Sequence, residues 1–280
     1  MMSLVSIVVS AWVTFFACTS SPVSAFGVTS RRLFLYGAGS TTLHHSCLKS
    51  SKRSQSGTSS NQSGTWPKVI IFDLDGCLWR PEMYELLYFS GGKGAPFTYS
   101  PNYATDGTLL TRGKEPVRLL GQVRDVLREL YCDTTTTTWS GNVQVGISSR
   151  TDQPEWAREL LKKFTITIHK EDEGNPKAPT FAMKDVFQGP IEIQHDSKVQ
   201  HFQRIASQTG VSMSDMLFFD NELGNCERVA ELGVVVVYCP DGVTMQLWEQ
   251  ALQAFPHASG RILGLDDAPS YQSDYRKTQW

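Results

Sequence analysis

Four consecutive apolar residues, Val69-Ile70-Ile71-Phe72, run directly into Asp73-Leu74-Asp75-Gly76. A run so short and so rich in β-branched residues reads as a strand buried on both faces, the situation of a parallel sheet covered by helices. The texture repeats downstream. Apolar runs at Val143 to Ile147, Thr165 to Ile168, Met216 to Phe219 and Val234 to Tyr238 alternate with helical patterns at Glu115 to Tyr131, Glu155 to Phe164, Lys198 to Thr209, Asn221 to Leu232 and Thr244 to Ala254. Such alternation predicts βαβ units and an α/β fold built on a parallel sheet. Pro116 is expected in the first turn of the first helix and Gly233 just past the fourth. The stretch Arg80 to Arg112, rich in Gly, Pro, Tyr and Thr, stands where a helix is expected and reads as a flap or hairpin. Thr134 to Thr138 reads as a surface loop, and Phe255 to Trp280 as a tail or a final edge element.

Charge divides the chain. None of the 28 acidic residues precedes Asp73, whereas six of the 26 basic ones do, which leaves the remainder at a formal charge of −8. That balance disfavours a polyanion-binding surface and sets nucleic acid aside as a partner. The 15-residue apolar run Leu4 to Cys18 is short for a membrane span and reads as the core of a signal peptide covering residues 1–25, with Val23 and Ala25 before the cut. Residues 26–64 contain Ser, Thr, Arg and Lys without acids, the composition of a transit peptide. The pair resembles the bipartite plastid presequences of algae with complex plastids; plain secretion with a disordered linker is the alternative. No stable membrane anchor is expected once the leader is removed. Residues 65–255 then form the folded domain and 256–280 the tail. The six cysteines show no C-x-x-C pair, so neither a zinc site nor a disulfide framework is signalled and buried or free thiols are expected.

In open parallel sheets the functional site lies at the carboxyl ends of the strands, so the residues that end each run carry the chemistry. The first run ends in Asp73-Leu74-Asp75, the second in Ser148-Ser149-Arg150, the fourth in Asp220-Asn221-Glu222, and Lys198 opens the third helix. Two carboxylates two residues apart at a strand end allow one to attack while the other moves protons. Phosphoryl transfer needs that pair together with charge neutralisation around the phosphoryl oxygens. On this reading Asp73 is the nucleophile and Asp75 the general acid and base. Ser149 and Arg150 bind substrate, and Lys198 neutralises phosphoryl charge. Like charges beside a phosphate call for a divalent cation, and oxygen ligands favour Mg²⁺. Asp73, the Asp75 carbonyl and a side chain of the Asp220-Asn221 pair are its candidate ligands. Strand alternation alone leaves Ser148 and Ser149 open. Asp220 also fits a helix cap, Arg150 also fits a simple ion pair, and His195 and His201 read as surface or packing residues. Trp79 is equally a core residue or a substrate platform.

Phe72-Asp73-Leu74-Asp75-Gly76-Cys77-Leu78-Trp79 resembles the first motif of the haloacid dehalogenase superfamily. Together with Ser149-Arg150-Thr151, Ser197-Lys198-Val199-Gln200-His201-Phe202 and Phe218-Phe219-Asp220-Asn221-Glu222 it is similar to the magnesium-dependent phosphatase type 1 family, over roughly Lys68 to Ala254. The resemblance implies a Rossmann-like three-layer domain with no large cap, and phosphomonoester hydrolysis through an aspartyl phosphate. It matches Asp73, Asp75, Ser149 and Lys198 to their motif roles and selects Ser149 over Ser148. The usual Asp-Asp pair of the fourth motif is Asp220-Asn221 here, so that Asn221 is expected to bind Mg²⁺ through its amide oxygen. The implied partner is a phosphorylated small molecule or a phosphopeptide. A protein tyrosine phosphatase of the same fold and a non-catalytic phosphate-binding module are the alternatives.

Overall fold

The computed structural model describes residues 66–89, 91–136, 143–255 and 257–265. The expected signal and transit segments of residues 1–64 and most of the tail fall outside them. Along the chain the strands are β1 (Val69–Phe72), β2 (Trp79–Arg80), β3 (Thr98–Tyr99), β4 (Leu109–Leu110), β5 (Pro116–Leu119), β6 (Gln144–Ser149), β7 (Thr165–Thr167), β8 (Thr180–Ala182), β9 (Ile191–Ile193), β10 (Met216–Asp220), β11 (Val235–Tyr238) and β12 (Ile262–Leu263).

Six of them form a parallel sheet in the order β12-β11-β10-β1-β6-β9. Strand β1 lies inside it, with Phe72 opposite Ile147 on one side and Phe219 on the other. Alternate residues face opposite layers. Ile70, Phe72, Leu217, Phe219, Val235 and Val237 pack with Val123, Leu127, Leu160 and Trp248. Val69, Ile71, Phe218 and Val236 pack with Phe202, Ile205, Cys226 and Val229. The helices Val123–Thr136, Pro154–Lys163 and Met245–Ala254 therefore cover one face, and Lys198–Thr209 and Leu223–Ala230 the other. This is the three-layer arrangement that uninterrupted apolar strands require. The Phe72 and Phe219 rings stack at 4.9 Å and 11° directly beneath the strand ends, a rigid floor for whatever follows them.

Several elements differ from the sequence expectation. Pro116 does not begin a helix: Pro116-Val117-Arg118-Leu119 is β5, which buries Val117 and pairs antiparallel with β2 and β4, and the helix starts at Val123 after Gly121. Thr165 to Ile168 does not join the central sheet, because β7 pairs antiparallel with β8 in a separate two-stranded hairpin. Its place beside β6 is taken by β9, whose Ile-Glu-Ile is too short and too interrupted to read as a buried run. The helix Val123–Thr136 runs into the poly-Thr stretch expected as a loop. Strand β12 is the final edge element after Phe255.

The flap expected between Arg80 and Arg112 takes a definite form. Strands β2, β5, β4 and β3 make a small antiparallel sheet, with the helix Met83–Phe89 after β2. It rises from the end of the first motif and sets Glu82 and Tyr84 at the mouth of the central sheet.

Candidate active site

The carboxyl ends of β1, β6 and β10 surround a cavity of about 220 Å³ lined by Asp73, Asp75, Ser149, Arg150, Lys198 and Asn225, with Glu82, Tyr84 and Glu222 at its rim. Asp73 directly follows β1, its N–H donating to Phe219 O at 2.9 Å. That bond carries the ladder one residue past the strand, so the carboxylate is set by sheet geometry rather than by a loop.

Lys198 reaches the same point from the opposite layer. Its helix opens with a capping box in which Gln200 N donates to Ser197 Oγ and Ser197 N to Gln200 Oε1. Lys198, His201, Phe202 and Ile205 then form its buried face. The Lys198 side chain is 1% exposed. Its Nζ donates to Asp73 Oδ1 at 2.5 Å and to the Ser148 main-chain carbonyl, and lies 3.1 Å from Asp220 Oδ2. Two carboxylates raise the ammonium above its ordinary pKa against the pull of burial, so it is charged throughout the physiological range. Burial pushes the Asp73 carboxyl well up, and Lys198 is the main influence pulling it back.

Asp75 occupies a different environment. It accepts from Trp79 Nε1 at 2.8 Å and from Met83 N at 3.2 Å, and burial lifts its pKa to about 6 despite those bonds. Burial raises both carboxyls, but Asp73 is bonded to a fixed cation and Asp75 to neutral N–H groups, which suits nucleophile and proton carrier respectively. Trp79 is neither a platform nor mere core: its indole N–H orients Asp75. The spacing from Asp75 to Trp79, one turn apart, was the only trace of that role in the sequence.

Ser148 and Ser149 separate cleanly. Ser148 Oγ is bonded to His201 Nδ1 at 3.0 Å beneath the sheet. Ser149 Oγ lines the cavity, buried and without a hydrogen-bond partner, available to a ligand oxygen. Arg150 donates from Nη1 to Asn225 Oδ1 at 3.3 Å, and its carbonyl meets His195 Nδ1 at 3.2 Å. Asn225, unremarked in the sequence, ties Arg150 to the fourth motif, since its Nδ2 donates to Asp220 Oδ2 and Glu222 Oε2.

Asp220 is fully buried and fully engaged: Oδ1 accepts from Glu222 N at 2.7 Å, and Oδ2 faces Lys198 and Asn225. It holds the turn and the lysine. Asn221 is the opposite case, its Oδ1 buried with no partner. The Asn221 amide packs over Gly76, which has φ +74°; a Cβ there would come within 2.2 Å of Asn221 Nδ2 and 2.9 Å of Glu82 Oε1. Burial, with Asp75 and Glu85 nearby, raises Glu82 to about 7. Among the described residues no three side chains of His, Cys, Asp and Glu gather as a metal cluster. A cation at this mouth therefore depends on hard oxygens of mixed type, carboxylate, carbonyl and amide, completed by water, a donor set that fits Mg²⁺. Cys77 and Cys226 are buried thiols whose pKa burial pushes up, so neither serves as a nucleophile.

The chain is similar to known proteins over most of its described length. Residues 65–258 match the family described as Acid Phosphatase. The chain is 30% identical over 205 residues to human Magnesium-dependent phosphatase 1, covering 72% of this chain and 96% of that protein. It is 28% identical over 169 residues to a HAD-like hydrolase superfamily protein of Schizosaccharomyces pombe, covering 60% and 83%. A solved haloacid dehalogenase-like family hydrolase from Xanthomonas campestris is 14% identical, covering 65% of this chain and 86% of that one with a TM-score of 0.37. An acidic pair opening a parallel sheet and a lysine returning to it across the fold thus stand in a chain matched from the first strand to the last helix, and the protein belongs to the acid phosphatase family of haloacid dehalogenase-type hydrolases.

Proposed function

We propose that the protein hydrolyses phosphomonoesters with Mg²⁺, through a phosphoaspartyl intermediate on Asp73. The carrying observation is the pairing at one cavity of Asp73, fixed by Lys198, with Asp75, poised near pH 6. Asp73 attacks phosphorus as the bond to the leaving oxygen breaks, and Asp75 gives its proton to that oxygen. Asp75 then takes a proton from water as the water oxygen attacks the phosphoaspartate, which frees Asp73 and inorganic phosphate. Ser149 Oγ donates to a phosphoryl oxygen, Lys198 keeps the nucleophile oriented and offsets charge, and Arg150 meets the substrate at the rim. Asp73, the Asp75 carbonyl and Asn221 Oδ1 would hold Mg²⁺, which when bound supplies neutralising charge to the phosphoryl group. Asp220, with its oxygens already engaged, acts through Lys198 rather than as a ligand.

The purified protein should release phosphate from an aryl phosphate only when Mg²⁺ is added, and Asp73→Asn should fall to background. Release without the metal, or an active Asp73→Asn, would overturn the reading. The substrate is a phosphorylated small molecule, whose phosphoryl group the polar lining of Ser149, Arg150 and Lys198 can hold. Turnover on phosphopeptides exceeding that on small phosphomonoesters would assign a phosphoprotein instead. The acid-free leader supports delivery to a plastid. Residues 1–64 fused to a fluorescent protein should mark that organelle, and a purely secreted signal would refute the address.

A further inference from the structure

We propose that Glu82 completes the cation site: its carboxylate, held beside Asn221 over Gly76, accepts hydrogen bonds from the metal's waters and supplies the negative charge that the amide of Asn221 lacks. The inference rests on the Mg²⁺ reading above and adds a residue from outside the four motifs. Three observations carry it. Glu82 Oε1 and the Asn221 amide both lie within 3 Å of the point where a Gly76 Cβ would stand, which makes them neighbours across the first-motif turn. The Glu82 carboxylate has no hydrogen bond or ion pair to any described residue, yet it lines the same cavity as Asp73 and Asp75. The buried Asn221 Oδ1 is likewise without a partner. The Asn221 amide meets Glu82 across the turn, and a cation whose waters reach the Glu82 carboxylate while the metal takes the buried Asn221 Oδ1 gives both oxygens a partner.

The chemistry explains why the flap begins where it does. Mg²⁺ keeps several waters and binds through few protein ligands, so a carboxylate need not touch the metal to hold it. Groups that orient bound water from outside the ligand shell govern affinity almost as strongly as the ligands, with losses of about 10- to 100-fold on substitution. A neutral amide at position 221 weakens the site, and a carboxylate brought in by the segment after β2 restores its charge.

The test is a double-mutant cycle on the full chain, read by Mg²⁺ titration calorimetry and by Mn²⁺ electron paramagnetic resonance, neither of which depends on turnover. Glu82→Gln should weaken binding about tenfold. Asn221→Asp should tighten it only slightly in the native background and should recover most of the loss in the Glu82→Gln background. Unchanged affinity in Glu82→Gln, or additive effects with no rescue, would overturn the assignment while leaving the phosphatase reading intact. A native chain that binds neither metal would overturn both. Should Glu82→Gln fold poorly, Glu82→Asp, which keeps the charge but shortens its reach, should show an intermediate affinity, and native affinity in that variant would count against the proposal.

Discussion

Lys198 Nζ stands 2.5 Å from Asp73 Oδ1, although the two residues are 125 positions apart. With Asp220 at 3.1 Å from the same nitrogen, one buried ammonium is shared by two buried carboxylates from neighbouring strands. The pair is therefore both machinery and structure. Removing the cation strands a buried charge, at a cost of about 3–5 kcal/mol. Lys198→Met should lower the thermal midpoint by several degrees and cut phosphate release at least 100-fold, about the scale of a lost transition-state contact. A variant melting with the native protein would contradict this account of the ion pair.

Asp75 should trade stability for activity. Its folded pKa, about 6, lies above the ordinary 3.8, so between those values the native state binds more protons than the unfolded one. Stability from this group is full below about pH 4, is lost as pH rises to 6 and stays lost above. A shift of two units corresponds to about 3 kcal/mol at most. In chelator at pH 7.5, Asp75→Asn should accordingly be more stable than the native protein in a urea melt, while its turnover with Mg²⁺ drops about 100- to 10,000-fold. A destabilised and active variant would reverse both halves.

His201 works in the opposite sense. Burial and the nearby Lys198 hold its pKa down at about 4 rather than 6.5. The unfolded chain takes up the proton first, so stability is present above pH 6.5 and is lost as pH falls toward 4. His201→Gln should flatten the pH dependence of the urea midpoint across that window, and a curve parallel to the native one would exclude His201 as its source.

Gly76 should tolerate no side chain. At φ +74° an L-residue is strained, and its Cβ would meet the Asn221 amide at 2.2 Å. Gly76→Ala is expected to cost about 1–3 kcal/mol and to weaken Mg²⁺ binding by displacing Asn221. Calorimetric melting and metal titration of the same sample read both effects.

Ser149→Ala is the contrasting case. The hydroxyl is buried without a hydrogen-bond partner, so deleting it should leave the unfolding free energy within about 1 kcal/mol of native or raise it. Phosphate contact should suffer, with kcat/KM down about tenfold and little change in fold. A large loss of stability would mean that Ser149 has a structural partner.

Much of the site was legible in advance because strand ends in a parallel sheet are positions of known consequence. Asp73, Asp75, Ser149, Arg150 and Lys198 all line the one cavity, whereas Asp220 and Asn221 lie just beside it. What escaped were residues whose roles depend on packing rather than spacing. Trp79 reads as an ordinary aromatic until its indole N–H is seen on Asp75. Asn225 has no motif around it, yet it joins Arg150 to Asp220. Edge strands β9 and β12 were faint because three residues with one buried, and two half-buried ones, leave no burial period to detect.

Four of the five apolar runs determined the middle of the parallel sheet, since a strand with no polar face must be covered on both sides. They determined equally that Asp73 would stand at a strand end. Only the tertiary structure decided how the pairs were shared out: Lys198 between Asp73 and Asp220, Ser148 to His201 rather than to the cavity, and Glu82 brought to Asn221 by a flap. Those choices turn on side-chain direction and on distances between segments far apart in the chain, and local periodicity carries no record of either.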